Sequence, residues 1–184
     1  MLHLDPDNSV VVVIDWQERL VGVMPEALRD EALARAVLLV RGARAAGVPV
    51  LASEQYPEGL GPTVQPLRDA WGDEVAPVAK REFSCAEVPE FVERLEALGR
   101  SHVVLVGMES HICVYQTARG LAEQGRVVHV PLDAVLSRKT PDFRAAVSLY
   151  RQIGVVTTSV EVVLFDWVRR GEGAVFKEIS RLVR

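Results

Sequence analysis

The sequence predicts a doubly wound α/β sandwich of three layers around a six-stranded, mainly parallel sheet. Apolar runs rich in β-branched residues recur along the chain, and amphipathic stretches at helical spacing separate them. The two alternate from one end to the other, which implies right-handed crossovers and helices on both faces of the sheet. With 184 residues and 49% hydrophobic content, one domain spanning 1–184 is expected, and its core needs no disulfide or metal to hold it.

Residues Ser9 to Ile14 form a continuous β-branched run closed by Asp15, the pattern of a strand buried on both faces of a parallel sheet. From Pro25 to Gly47 apolar positions recur at helical spacing, opened by proline and closed by glycine, which predicts one long helix. Val48 to Ser53 reads as a second strand. Glu54 to Thr63, with two prolines and two glycines, reads as a loop leaving that strand's C-terminal end. Ala76 to Ala79 is a short edge strand, because Pro77 cannot donate to a ladder, and it delivers Lys80 into the loop Arg81 to Cys85. A helix at Val88 to Leu98, a strand at His102 to Gly107 and a turn at Met108 to Ile112 come next. They lead to a helix from Cys113 to Glu123, stopped by Gly125. A strand at Arg126 to Pro131, a helix at Asp142 to Gln152 and a strand at Val155 to Thr158 repeat the rhythm. Helices at Val160 to Arg169 and Ala174 to Leu182 close the chain.

Composition excludes several roles. Lys plus Arg number 21 against 25 Asp plus Glu, a net charge of −4 with no basic stripe, so nucleic acid is not an expected partner. No stretch reaches about 18 uninterrupted apolar residues, so no membrane association is expected. The residues before Ser9 carry two aspartates and no lysine or arginine, unlike a secretory leader, and the expected compartment is the cytoplasm. There Cys85 and Cys113 are expected as free thiols. The four histidines lack paired ligand spacing and there is no Cys-x-x-Cys, so no metal is expected. The turn after Asp15 has no glycine cluster and no phosphate-cradling glycine-lysine motif occurs, so no cofactor is expected either.

In open parallel sheets ligands bind outside the C-terminal ends of the strands, and those ends present Asp15, Lys80, Cys113 and Asp133. Cys113 opens a helix, where backbone N–H groups and the helix dipole favour a thiolate and can also serve an oxyanion. The plain alternative is a buried core cysteine. Lys80 is one of only three lysines beside 18 arginines, and a compact ammonium at that place can polarise a neighbouring acid or thiol. A chance surface lysine is the competing reading. Asp15, carried to the mouth of a buried strand, must be solvated, paired or tuned for proton transfer, or else cap the following turn. His111 lies two residues before Cys113, a spacing that sends helical side chains different ways, and reads as pocket lining or a turn hydrogen-bonder.

Asp15-Trp16-Gln17 after the first strand, Lys80 with Phe83-Ser84 behind it, and Gly107-Met-Glu-Ser-His-Ile-Cys113-Val-Tyr-Gln-Thr-Ala118 ahead of a helix resemble the isochorismatase-like cysteine hydrolases. The resemblance runs from about residue 8 to 165 and is strongest in the glycine-to-cysteine segment. Within the family the sequence is similar to the isochorismatase-domain-containing subgroup, whose members mostly lack an assigned substrate. The resemblance implies a Rossmann-like sheet, Cys113 as nucleophile, Asp15 as proton acceptor and donor, and Lys80 as their charged partner. It further implies a cis peptide between Met108 and Glu109, with the amides of Glu109 and Cys113 forming an oxyanion hole. Relatives assemble as dimers, tetramers or octamers, so a homo-oligomer is expected, with Phe165, Trp167 and Phe176 offering apolar surface.

Two departures narrow the chemistry. Family nicotinamidases carry an Asp-x-His metal site after the second strand, where this chain has Ser53-Glu-Gln-Tyr56. True isochorismatases lack the cysteine. The expected function is therefore metal-independent hydrolysis of a small-molecule amide or carbamoyl C–N bond through a thioester. Trp16, Gln17, Tyr56, Phe83 and His111 are the expected substrate-binding residues, since small-molecule sites combine aromatic walls with few polar groups. A non-enzymatic metabolite-binding or assembly protein of the same fold, and a thiol redox protein, stand as alternatives.

Overall fold

A computed structural model describes residues 3–184. The first strand, β1 (Ser9–Ile14), is buried along its whole length. A short helix α1 (Glu18–Gly22) and the long helix α2 (Glu26–Ala45) follow, then β2 (Val50–Gln55). Two short helices, α3 (Pro57–Leu60) and α4 (Gln65–Trp71), precede β3 (Val78–Lys80). Next come α5 (Pro89–Ala97), β4 (His102–Met108), a π-helical turn (Ser110–Val114) and α6 (Tyr115–Glu123). The chain finishes with β5 (Val127–Pro131), β6 (Val135–Leu136), α7 (Thr140–Gln152), β7 (Val156–Thr158), α8 (Val160–Val168) and α9 (Ala174–Leu182).

The strands form one sheet in the order β3-β2-β1-β4-β5-β7, with β6 pairing β4, and every ladder between them is parallel. The seventh strand corrects the expected six. Being two residues long, β6 shows no periodicity that a sequence pattern could reveal. The loop expected over residues 54–63 is also corrected: β2 runs on to Gln55 and Pro57 starts a helical turn, a place where its missing N–H costs nothing. Helices α1 and α4 were not foreseen, because five and seven residues give too few turns for a readable stripe. The helix expected from Cys113 begins instead as the π-helical turn at Ser110 and becomes regular only at Tyr115.

Alternation along β1 divides the core. Val11 and Val13 face α2, α4, α8 and α9, while Val10, Val12 and Ile14 face α5, α6 and α7. Trp167, expected as oligomer surface, is buried in the first of these layers and its Nε1 donates to Ser9 Oγ at 3.1 Å. Phe165 stays partly exposed. The chain reverses direction across the sheet between β1 and β4, so their C-terminal ends border the crevice where such sheets bind ligands. There Gly107 pairs with Ile14 at φ +145°, and a Cβ at 107 would stand 2.1 Å from the Ile14 carbonyl oxygen. Only glycine lets β1 and β4 approach this closely, and the approach brings Asp15 beside the turn that carries Cys113. No helix among the described residues is long and apolar enough to cross a membrane.

Candidate active site

Asp15 follows β1 directly and adopts φ +52°, a left-handed conformation that Asp tolerates better than a β-branched residue would. Its backbone N–H stays on the sheet, donating to Ser53 O at 3.1 Å. The carboxylate is wholly buried and spends both oxygens: Ser53 Oγ donates to Oδ1 at 2.7 Å and Lys80 Nζ to Oδ2 at 2.7 Å. Lys80, the last residue of edge strand β3, also donates to Gln55 Oε1 at 2.7 Å and reaches the carbonyls of Glu82 and Phe83 at 3.3 and 3.4 Å. Burial pulls the Lys80 ammonium toward its neutral form, but the Asp15 carboxylate together with Cys85 and Cys113 outweighs it and the pKa is raised. The ammonium is held charged.

Cys113 is 6% exposed on the π-helical turn, with Asp15 and Lys80 both acting on its thiol. Burial and the Asp15 carboxylate push the thiol's pKa up and Lys80 opposes them without prevailing, so Cys113 rests as a neutral thiol. This corrects the expectation of a thiolate stabilised by the helix start. What the arrangement supplies is a thiol facing a carboxylate that can accept its proton, with an ammonium fixing that carboxylate.

The turn is anchored from outside. The Met108–Glu109 peptide is cis. Glu109, nearly buried, binds Arg138 through Nη2 to Oε1 at 2.9 Å and accepts the Arg138 backbone N–H at 2.9 Å. Burial would raise the Glu109 carboxyl, but the Arg138 hydrogen bonds prevail and hold it lowered. His111 Nδ1 lies 2.9 Å from Ser137 Oγ.

The remaining expected residues sort differently. Gln17 is buried and acts as a staple, its Nε2 donating to the carbonyls of Gln55 and Gly61 at 2.9 and 2.7 Å while its Oε1 accepts from Gln55 N at 2.7 Å. Trp16 is fully buried among the residues packed under α2, so it presents no face to the crevice. Tyr56 and Phe83 are exposed on either side of the Lys80 segment, with the Arg81 guanidinium 3.9 Å over the Tyr56 ring. Ser53, Gln55 and Cys85 were missed. Ser53 and Gln55 are two apart on β2, and strand alternation beside Asp15 is the signal that could have found them. Cys85 is wholly buried, its N–H donating to Thr117 Oγ1 at 2.9 Å and its thiol within the field of Lys80 and Asp15. No sequence spacing marks it.

Sheet topology and site together define an isochorismatase-like hydrolase fold. A family model described as "Isochorismatase domain" matches residues 9–162. Isochorismatase domain-containing protein 1 of Danio rerio is 37% identical over 183 residues, which cover 99% of this chain and 63% of the relative. The chain thus spans less than two thirds of that relative's length. A solved structure described as MAR1 ribonuclease from Caenorhabditis elegans superposes with a TM-score of 0.92 at 32% identity, covering 98% of this chain and 92% of that one. N-carbamoylsarcosine amidase from Thermoplasma acidophilum shares the fold at a TM-score of 0.71 and 20% identity, covering 83% and 96% of the two chains. The chain belongs to the isochorismatase domain family.

Proposed function

We propose that this protein hydrolyses a small-molecule amide or carbamoyl C–N bond through a thioester on Cys113. The observation that carries the reading is the buried Lys80 to Asp15 pair, 2.7 Å long, beside the Cys113 thiol. As Sγ attacks the substrate carbonyl carbon, Asp15 accepts the thiol proton, so no free thiolate need exist beforehand. The amides of Glu109 and Cys113 receive the oxyanion. Asp15 then returns the proton to the leaving nitrogen, the C–N bond breaks, and a thioester remains. Water attacks that thioester while Asp15 takes its proton, and the C–S bond breaks as Asp15 reprotonates the sulfur. Lys80 orients Asp15 through the 2.7 Å contact to Oδ2 in each half. Every proton step uses a protein group.

The exposed Tyr56 and Phe83 rings suit the apolar part of a small substrate. One relative is described as a ribonuclease, but a net charge of −4 and a carboxylate at the site's centre favour an uncharged carbonyl over a polyanion. A panel of primary amides, carbamoyl compounds and a short RNA tests the reading. Ammonia or amine release with an acyl adduct on Cys113 by mass spectrometry is expected. Undiminished turnover by Cys113→Ala would sink it.

A further inference from the structure

A cavity lies at the same edge of the sheet as Asp15, Lys80 and Cys113, but none of the three lines it. It is a cleft of about 440 Å³ between the start of α2 and the start of α7, roofing β6. Leu28, Leu132, Leu136 and Phe143 form its walls, and Ser137 is a buried polar residue of its lining. Glu31 and Arg144 stand at opposite signs on its exposed rim, and Asp133 is already engaged, accepting the Val160 N–H at 2.9 Å and facing Arg35. Volume and lining match what small-molecule sites use, about 300 to 1,000 Å³ with apolar walls and few polar groups. A rim of mixed sign selects no net charge.

The polar group can be read further. His111 places Nδ1 2.9 Å from Ser137 Oγ and Nε2 3.9 Å from Asp142 Oδ2. A carboxylate facing Nε2 favours the tautomer with the proton there, so Nδ1 is the acceptor and Ser137 donates to it. The Ser137 oxygen then keeps its lone pairs and no spare proton. It can accept a hydrogen bond from a ligand and cannot donate one. Donation from a ligand O–H would also strengthen the Ser137 to His111 bond by polarising it.

We infer that this cleft is a binding site for a small, uncharged, mainly apolar molecule carrying one hydroxyl, a phenol or an aliphatic alcohol, with that hydroxyl donating to Ser137 Oγ. The site is separate from the thiol chemistry, although His111 belongs to the turn that carries Cys113.

Titration of the full chain with 4-methylphenol, toluene, methyl phenyl ether and benzoate, followed by calorimetry and by chemical shifts of α7 amides, tests it. Saturable binding of 4-methylphenol is expected, with toluene and the ether, which lack a donor, weaker by about three- to tenfold. Ser137→Ala should erase that difference. Leu28→Asp, a change on an exposed helical position, should abolish binding of all of them without unfolding the protein. Cys113→Ala protein should bind unchanged, so a failure of the hydrolase reading leaves this result intact. Equal affinity for 4-methylphenol and toluene, preference for benzoate, or no saturable binding overturns the inference. So does an oligomer that Leu28→Asp dissociates in the absence of ligand binding, which would make the cleft an interface between copies.

Discussion

The two ends of the sheet bury polar pairs of opposite character. At the C-terminal end, Asp15 and Lys80 stand 2.7 Å apart and the Lys80 ammonium is held charged. Toward the N-terminal end, His102 and His129 are buried with Nδ1 and Nε2 3.1 Å apart and rings stacked at 5.3 Å. Burial pushes both imidazoles down, His129 to about 4, with the neighbouring His102 adding to the effect and Asp166 opposing it. Desolvation acts on both pairs, but only the first contains an opposite charge to repay it. Burial alone therefore does not select the charged state; the partner does. The end that keeps charge is the end that faces the crevice and the thiol.

Breaking the charged pair and its thiol should have the largest effects. Cys113→Ala is expected to lower hydrolysis to background while circular dichroism shows an unchanged fold, and Asp15→Asn to cost about 10² to 10⁴ in kcat/KM if it retains any turnover. Lys80→Met strands a buried carboxylate, and denaturant unfolding should show a loss of about 3 to 5 kcal/mol. Alkylation of Cys113 against pH sharpens the comparison. Because Asp15 raises the thiol and Lys80 lowers it, the profile should move to lower pH in Asp15→Asn and to higher pH in Lys80→Met.

The neutral pair yields a smaller, pH-dependent effect. The unfolded chain protonates His129 near 6.5 and the folded one only near 4, so the unfolded state binds more protons between these values. Stability should be fully present above pH 6.5 and fall by on the order of 3 kcal/mol as pH drops toward 4. His129→Gln should flatten that dependence in urea melts taken across the range. Smallest of all, Arg94→Ala removes an exposed helical pair with Glu90, and its unfolding midpoint should move by no more than about 0.5 kcal/mol.

What the sequence made legible follows from periodicity and from strand ends. The β-branched run of β1 and the 20-residue stripe of α2 declared themselves, as did Asp15 and Cys113 at the mouths of buried strands. Lys80 was marked by its rarity. Elements of two to seven residues left no pattern, which hid β6, α1, α3 and α4. Trp16 looked like an aromatic wall, yet the left-handed turn at Asp15 breaks the strand's alternation and sends the ring into the layer of Val11 and Val13. The helix start and Lys80 suggested an acidified thiol, whereas its acidity is set first by burial and then by a carboxylate 98 residues earlier in the chain. Such long-range neighbours are a product of topology and leave no local trace.

Lys80 arrives on the edge strand beyond β2, three residues long and held by only three paired positions. Edge strands of that length open by local fluctuation at a free energy well below that of global unfolding. Each opening would carry the ammonium away while Asp15 and Cys113 stayed in place on the central strands. On the proposed mechanism these openings, which amide exchange at Val78 to Lys80 would report, set the share of molecules ready to react, so turnover would weaken on warming before the rest of the molecule melts.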